Sequence, residues 1–160
     1  MAGEYHFDMV WRFDVPIDRV WKMLTSTEEW PRWWKNCTNV ETIERGGPDG
    51  VGAVQRFTIK SQLLYALRFE IRTTRLEEPR LIEGDAQGNL DGTVRWQLAP
   101  EADGTRVHYN WDVRPTEPWM QALSPILRPI FAWNHQAVMR KGGQGLARMM
   151  GANLVAEEYR

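Results

Sequence analysis

Three histidines, one cysteine and one glycine-rich loop are the features of this chain whose residue types suit chemistry. Histidine most often carries acid–base work. His6 sits between Tyr5 and Phe7, and His108 between Val107 and Tyr109, so strand parity sets both on the polar face. His135 falls about 120° from the centre of the apolar stripe expected on the C-terminal helix, at about 100° per residue. On this reading no histidine points inward. Nucleophilic catalysis by serine lacks its elbow, since no Gly-x-Ser-x-Gly occurs. Cys37 stands alone and no His-Glu-x-x-His is present, so no zinc set is expected. The run Gly46-Gly47-Pro48-Asp49-Gly50-Val51-Gly52 has no lysine and separates two strand patterns. It reads as a turn, because a phosphate loop needs Gly-Lys-Ser/Thr opening a helix.

Charge and composition exclude several function classes. Twenty Lys and Arg against 21 Asp and Glu leave a net charge of -1, without the basic footprint that nucleic acid requires. No 18-residue apolar run exists and mean hydropathy is -0.52, so no membrane-spanning helix is expected. The opening residues, from Met1 to Asp8, lack the basic and apolar regions of a secretory leader. A lone cysteine fits a reducing compartment, and the expected location is cytoplasmic. At 160 residues the chain is expected to form a single domain over residues 1–160. Nine tryptophans outnumber both phenylalanine and tyrosine. Each buries about 150–250 Å², so broad aromatic walls must fill a core or line a cavity.

Periodicity gives the elements that position these residues. Residues 5–15 alternate, with Tyr5, Phe7, Met9, Trp11, Phe13 and Val15 on one face. Pro16 ends that strand, and Ile17, Val20, Trp21 and Leu24 mark a short amphipathic helix. Ser26 with Glu29 reads as a capping box for a second short helix, which runs into the Trp30, Trp33, Trp34 cluster. Six further strands are expected at Thr38–Glu44, Val51–Lys60, Tyr65–Glu77, Arg80–Gln87, Leu90–Ala99 and Thr105–Arg114. Their short connections imply an antiparallel meander with one wet face. Ser124-Pro125 reads as a helix start, followed by an apolar stripe of Leu123, Ile126, Leu127, Ile130, Trp133, Ala137 and Val138. Gly142, Gly143 and Gly145 suggest close packing or a bend, and the last residues, 156–160, are expected to fray. The fold class is therefore α+β: a seven-stranded antiparallel sheet, two short helices between strands 1 and 2, and a long C-terminal helix covering the apolar face.

This order, with Val15-Pro16, Val20-Trp21, Trp30-Pro31-Arg32-Trp33-Trp34, Gly104-Thr105-Arg106-Val107, Asn110-Trp111-Asp112-Val113, Trp133-Asn134-His135 and Val138-Met139-Arg140, resembles the START-like (SRPBCC) superfamily. The likeness covers almost the whole chain. It is closest to the bacterial polyketide cyclase/dehydrase-like group and extends to the birch pollen allergen branch. The resemblance implies a helix-grip fold, a curved sheet wrapped around the long helix, with an elongated apolar cavity between them. It implies a small hydrophobic or amphipathic ligand as partner; no cofactor is expected. It does not by itself imply catalysis.

Parity then nominates the walls of such a cavity: Trp11, Phe57, Tyr65, Phe69, Trp96, Tyr109, Trp111, Asn134 and Val138. Gln55, Arg75 and Lys141 are polar residues with inward parity or close to the helix stripe, which suits pockets that are apolar with a few placed polar groups. Asn134 is expected to contact ligand; the rival reading is a protein hydrogen bond. Binding of a lipid-like or polyketide-like molecule is the expected function. A cyclase or dehydratase acting in the same cavity is the first alternative, and a partner-binding module without a small ligand is the second.

Overall fold

The computed structural model describes residues 4–63 and 65–159; Met1–Gly3 of the opening segment and Arg160 of the expected frayed end lie outside them. The elements are β1 (Tyr5–Phe13), α1 (Ile17–Thr25), α2 (Trp30–Trp33), β2 (Cys37–Glu44), β3 (Val54–Lys60), β4 (Ala66–Glu77), β5 (Leu81–Gly88), β6 (Leu90–Glu101), β7 (Gly104–Pro115), α3 (Pro118–Met150) and β8 (Leu154–Tyr159). One eight-stranded antiparallel sheet has the order β2-β3-β4-β5-β6-β7-β1-β8. The helix α3 packs on one face of this sheet, and α1 and α2 lie between β1 and β2.

The alternation of β1 and β7 works as the sequence predicts. Met9 pairs with Tyr109 and Phe7 with Trp111. Tyr109 and Trp111 are buried, while Asp112 is exposed and binds His6 at 2.7 Å. His108 meets Asp8 on the same outer face. Other charges there form cross-strand pairs, such as Arg56 with Glu70 at 2.8 Å. Val51 and Ala53 belong to the turn before β3 rather than to the strand, since Val51 O accepts from Gly47 N and Ala53 N reaches Gly50 O.

Four expectations are corrected. The sheet has an eighth strand where fraying was expected: β8 pairs along β1 and is held by Asp14, whose carboxylate accepts from Asn153 N at 2.7 Å and Nδ2 at 2.8 Å. Ser26 makes no capping box, because its hydroxyl bonds back to Lys22 O. Helix α3 starts at Pro118, so Ser124 is no cap. It is buried inside the helix, donating to Met120 O and accepting from Tyr5 Oη at 3.0 Å. Pro125 and Pro129 both lie within this helix. The carbonyls they release, of Gln121 and Pro125, belong to exposed residues where water can replace the lost bond.

The fourth correction concerns which face of α3 is inside. Met120, Phe131, Asn134, His135, Val138, Met139 and Leu146 are buried. Leu123, Ile126, Ile130 and Trp133, four members of the expected stripe, face solvent. The tryptophans decide this rotation through the glycines. Trp34 lies against Gly142, Trp11 against Gly143 and the Trp33 carbonyl against Gly145, each closer than a side chain would permit. Trp34 Nε1 also donates to Val138 O at 2.9 Å. Only a helix face without side chains can take these contacts, so the glycine face turns inward.

Candidate functional site

A cavity of about 100 Å³ lies between α3 and the sheet. Of the residues nominated from sequence, Phe57, Tyr65, Phe69, Trp96, Tyr109, Trp111, Asn134 and Val138 line it together. Strand parity explains the first group: Phe57 faces Phe69 across β3 and β4, and Trp96 faces Tyr109 across β6 and β7. Their rings close the wall by stacked and tilted contacts, Phe57–Phe69 at 5.8 Å and Trp96–Tyr109 at 4.1 Å. Tyr5, Phe7, Trp30, Trp34 and Phe131 complete the aromatic lining.

Four nominated residues do not line it. Trp11 is fully buried in the core against Trp96 and Gly143. Gln55 donates to Thr42 Oγ1 at 3.4 Å on the neighbouring strand. Arg75 is 61% exposed and pairs with Glu77 and Glu83. The reason is a bulge: Thr73 pairs with Gly84 but Arg75 with Glu83, so one extra residue reverses the parity of β4. Beyond it Leu76, not Arg75, packs on the core. Lys141 is exposed, donates to Gln62 Oε1 at 3.0 Å, and borders a separate surface groove.

The largest omission is His135. It lies on the buried face of α3, 8% exposed, stacked on Phe7 at 3.8 Å and 5.7 Å from Trp111. It lines the cavity, and its Nε2 has no hydrogen-bond partner among the described residues. Burial pushes its pKa down to about 3, so the imidazole is neutral near pH 7. The inward glycines would have revealed this, since 135 shares a face with 142 and 146 at helical spacing.

Two indoles share the same condition. Trp30 and Trp111 line the cavity, and neither Nε1 has a partner among the described residues. Buried polar groups normally find partners. Trp11 and Trp33, away from the cavity, also carry indoles unpartnered among the described residues. What sets Trp30, Trp111 and His135 apart is that their residues line one apolar space. Asn134 differs. Its Oδ1 accepts from Gln62 N at 2.7 Å and its Nδ2 reaches Tyr65 Oη at 3.5 Å. The amide therefore ties Gln62 and Tyr65 to α3, which is the rival reading of this residue.

Acid–base groups are scarce. Burial raises the phenols of Tyr65 and Tyr109 above their usual range, so both stay protonated. Cys37 is buried, with its thiol pushed up to about 12. Among the described residues no three His, Cys, Asp or Glu side chains gather as a metal site requires.

A family model described as polyketide cyclase / dehydrase and lipid transport matches residues 5–151. The chain belongs to this family. No curated protein matches it. Among solved structures, the di-domain aromatase/cyclase StfQ of the steffimycin biosynthetic pathway is 13% identical with a TM-score of 0.66. That match covers 94% of this chain and 53% of that one, so the chain spans about half the length of StfQ. The Zhui aromatase/cyclase from Streptomyces sp. R1128 is 14% identical with a TM-score of 0.67, covering 92% of this chain and 96% of that one. Ara h 8.0201 is 13% identical with a TM-score of 0.60, over 91% and 99%. At these identities the likeness is one of fold, the helix-grip arrangement that the sequence resemblance implied. No helix among the described residues is long and apolar enough to cross a membrane.

Proposed function

We propose that this member of the polyketide cyclase/dehydrase and lipid transport family binds a small hydrophobic molecule carrying at least one oxygen, held in the aromatic cavity beneath α3. The observation that carries the reading is that three residues lining one apolar space, His135, Trp30 and Trp111, each keep a buried ring nitrogen without a partner among the described residues. A ligand carbonyl accepts from an indole N–H, and a hydroxyl bonds neutral imidazole in either direction. Size supports a compact guest. An apolar cavity of about 150 Å³ is known to hold benzene; the present 100 Å³ is smaller, so a ring-sized guest enters as the cavity widens.

Binding is favoured over turnover by the acid–base inventory. A base with a pKa near 3 accepts protons poorly at neutral pH, and buried phenols give theirs up poorly. Arg75 and Lys141, which could have polarised a carbonyl, do not line the cavity.

Native mass spectrometry, with extraction of whatever co-purifies, and titration with a neutral hydrophobic dye test this reading. The expected result is one dye per folded chain, a raised Tm and unchanged near-UV circular dichroism. At 100 times Kd the stabilisation is about 2.7 kcal/mol. Dye uptake only as the near-UV signal disappears would report a loosened core instead of a site.

A further inference from the structure

The first half of α3 presents an apolar row to solvent that none of the described residues covers. Trp119, Leu123, Ile126, Ile130 and Trp133 are all exposed, Ile126 at 74% and Trp133 at 56%. At about 100° per residue they fall within about 40° of one line along the helix. Scattered exposed apolar residues are ordinary, but five large ones in a single row are not. The same line continues through Lys141, Gln144 and Arg148. Lys141 and Arg148 line one surface groove together with Arg32 and Lys35 of the α2 region. Helix α3 contains four basic residues and no Asp or Glu, in a chain whose net charge is -1.

We propose that this face seats the protein on an anionic lipid bilayer, the apolar row entering the headgroup boundary and the basic cluster meeting lipid phosphate. Charge complementarity selects this occupant. A second copy of the chain would set one acid-free basic helix against another, whereas an anionic surface attracts the cations at Lys35, Lys141 and Arg148 together. Tryptophans stand at both ends of the row, and indole favours the membrane interface. An apolar row flanked by a basic segment is how a helix lies in the plane of a bilayer. Trp119 also packs edge-on against Tyr65 at 5.8 Å, and Tyr65 lines the cavity. The lipid-facing surface therefore borders the cavity rim, although seating on the bilayer does not depend on what the cavity holds.

Co-sedimentation with phosphatidylcholine vesicles, with and without phosphatidylglycerol, tests the proposal. The intact protein is expected to bind the anionic vesicles, more weakly as salt rises. Ile126→Glu with Trp133→Ser is expected to lower partitioning at least tenfold, and Lys141→Glu with Arg148→Glu at least about thirty-fold at low salt. All four positions are exposed, so Tm and circular dichroism should stay unchanged. Brominated acyl chains should quench the fluorescence of the intact protein, and the part due to Trp119 and Trp133 should vanish in Trp119→Phe/Trp133→Phe. Failure of the intact protein to bind anionic vesicles overturns the proposal, as does equal binding by the folded charge-reversed variant. Self-association abolished by Ile126→Glu/Trp133→Ser, without vesicle binding, would assign the face to a second copy and also overturn it.

Discussion

His135 should make the fold acid-sensitive in a way that one substitution removes. Its folded pKa of about 3 lies below the usual 6.5 because burial disfavours the charged ring. Above pH 6.5 neither state is protonated there, and the residue adds no pH dependence. Below it the unfolded chain binds a proton that the folded chain refuses, so stability falls with pH, at most by about 1.4 kcal/mol per unit, until roughly pH 3. Integrating from pH 7 to pH 5 gives a loss of about 2 kcal/mol from this group. For a chain of this length that is a Tm drop of about 6 °C. His135→Phe keeps the stack on Phe7, and the adjoining cavity gives the larger ring room. Urea unfolding of both proteins at the two pH values isolates the effect, since every other titrating group is common to them. The intact protein should lose about 2 kcal/mol more than the variant. Parallel pH dependence in the two proteins would refute the buried, unpaired imidazole.

Three further outcomes follow from the packing. Gly145→Ala would place a methyl 1.7 Å from the Trp33 carbonyl oxygen. It should therefore lower stability by about 3 kcal/mol or more, opposite in sign to the roughly 1 kcal/mol gain of alanine in an unhindered helix; thermal unfolding reads the sign. Asn134→Leu should cost about 1–3 kcal/mol by orphaning the Gln62 N–H, with a smaller effect on ligand affinity; urea unfolding beside ligand titration separates the two. Arg75→Ala should leave ligand affinity within about twofold, well under 1 kcal/mol, because its side chain lies on the solvent side of the bulge. A tenfold loss of affinity would mean that the bulge does not reverse β4.

The strands were legible because burial on one face writes a period of two into the sequence. Phe57, Phe69, Trp96, Tyr109 and Trp111 all carry that period, and the structure brings all five to one cavity. Parity fails at one extra residue, and the bulge between Thr73 and Arg75 has no signature of its own in sequence. Helix α3 was misread for a different reason. It has two apolar faces: the outward one sets large apolar side chains in one row, whereas the inward one mixes its apolar side chains with Ser124, Asn134, His135 and glycines, which a hydrophobicity pattern does not score. That error carried His135 out of the expected site and placed Leu123, Ile126, Ile130 and Trp133 in the core. Strand β8 pairs only with β1, and an edge strand with Glu157 and Glu158 leaves too weak an alternation to distinguish from a frayed end.

The central claim is that the cavity receives an oxygen-bearing apolar guest at His135 and the two unpartnered indoles. Calorimetric titration with acetophenone and with ethylbenzene compares two molecules of nearly one shape, of which only the first has a carbonyl. The intact protein should bind both, and the ketone about tenfold tighter, since one net hydrogen bond is worth about 1 kcal/mol or slightly more. His135→Phe should narrow that ratio, even where its larger ring takes cavity space and weakens both molecules alike. Saturable binding of neither molecule by protein with a native near-UV spectrum would contradict the site. Equal affinity for both would contradict the role of its polar atoms.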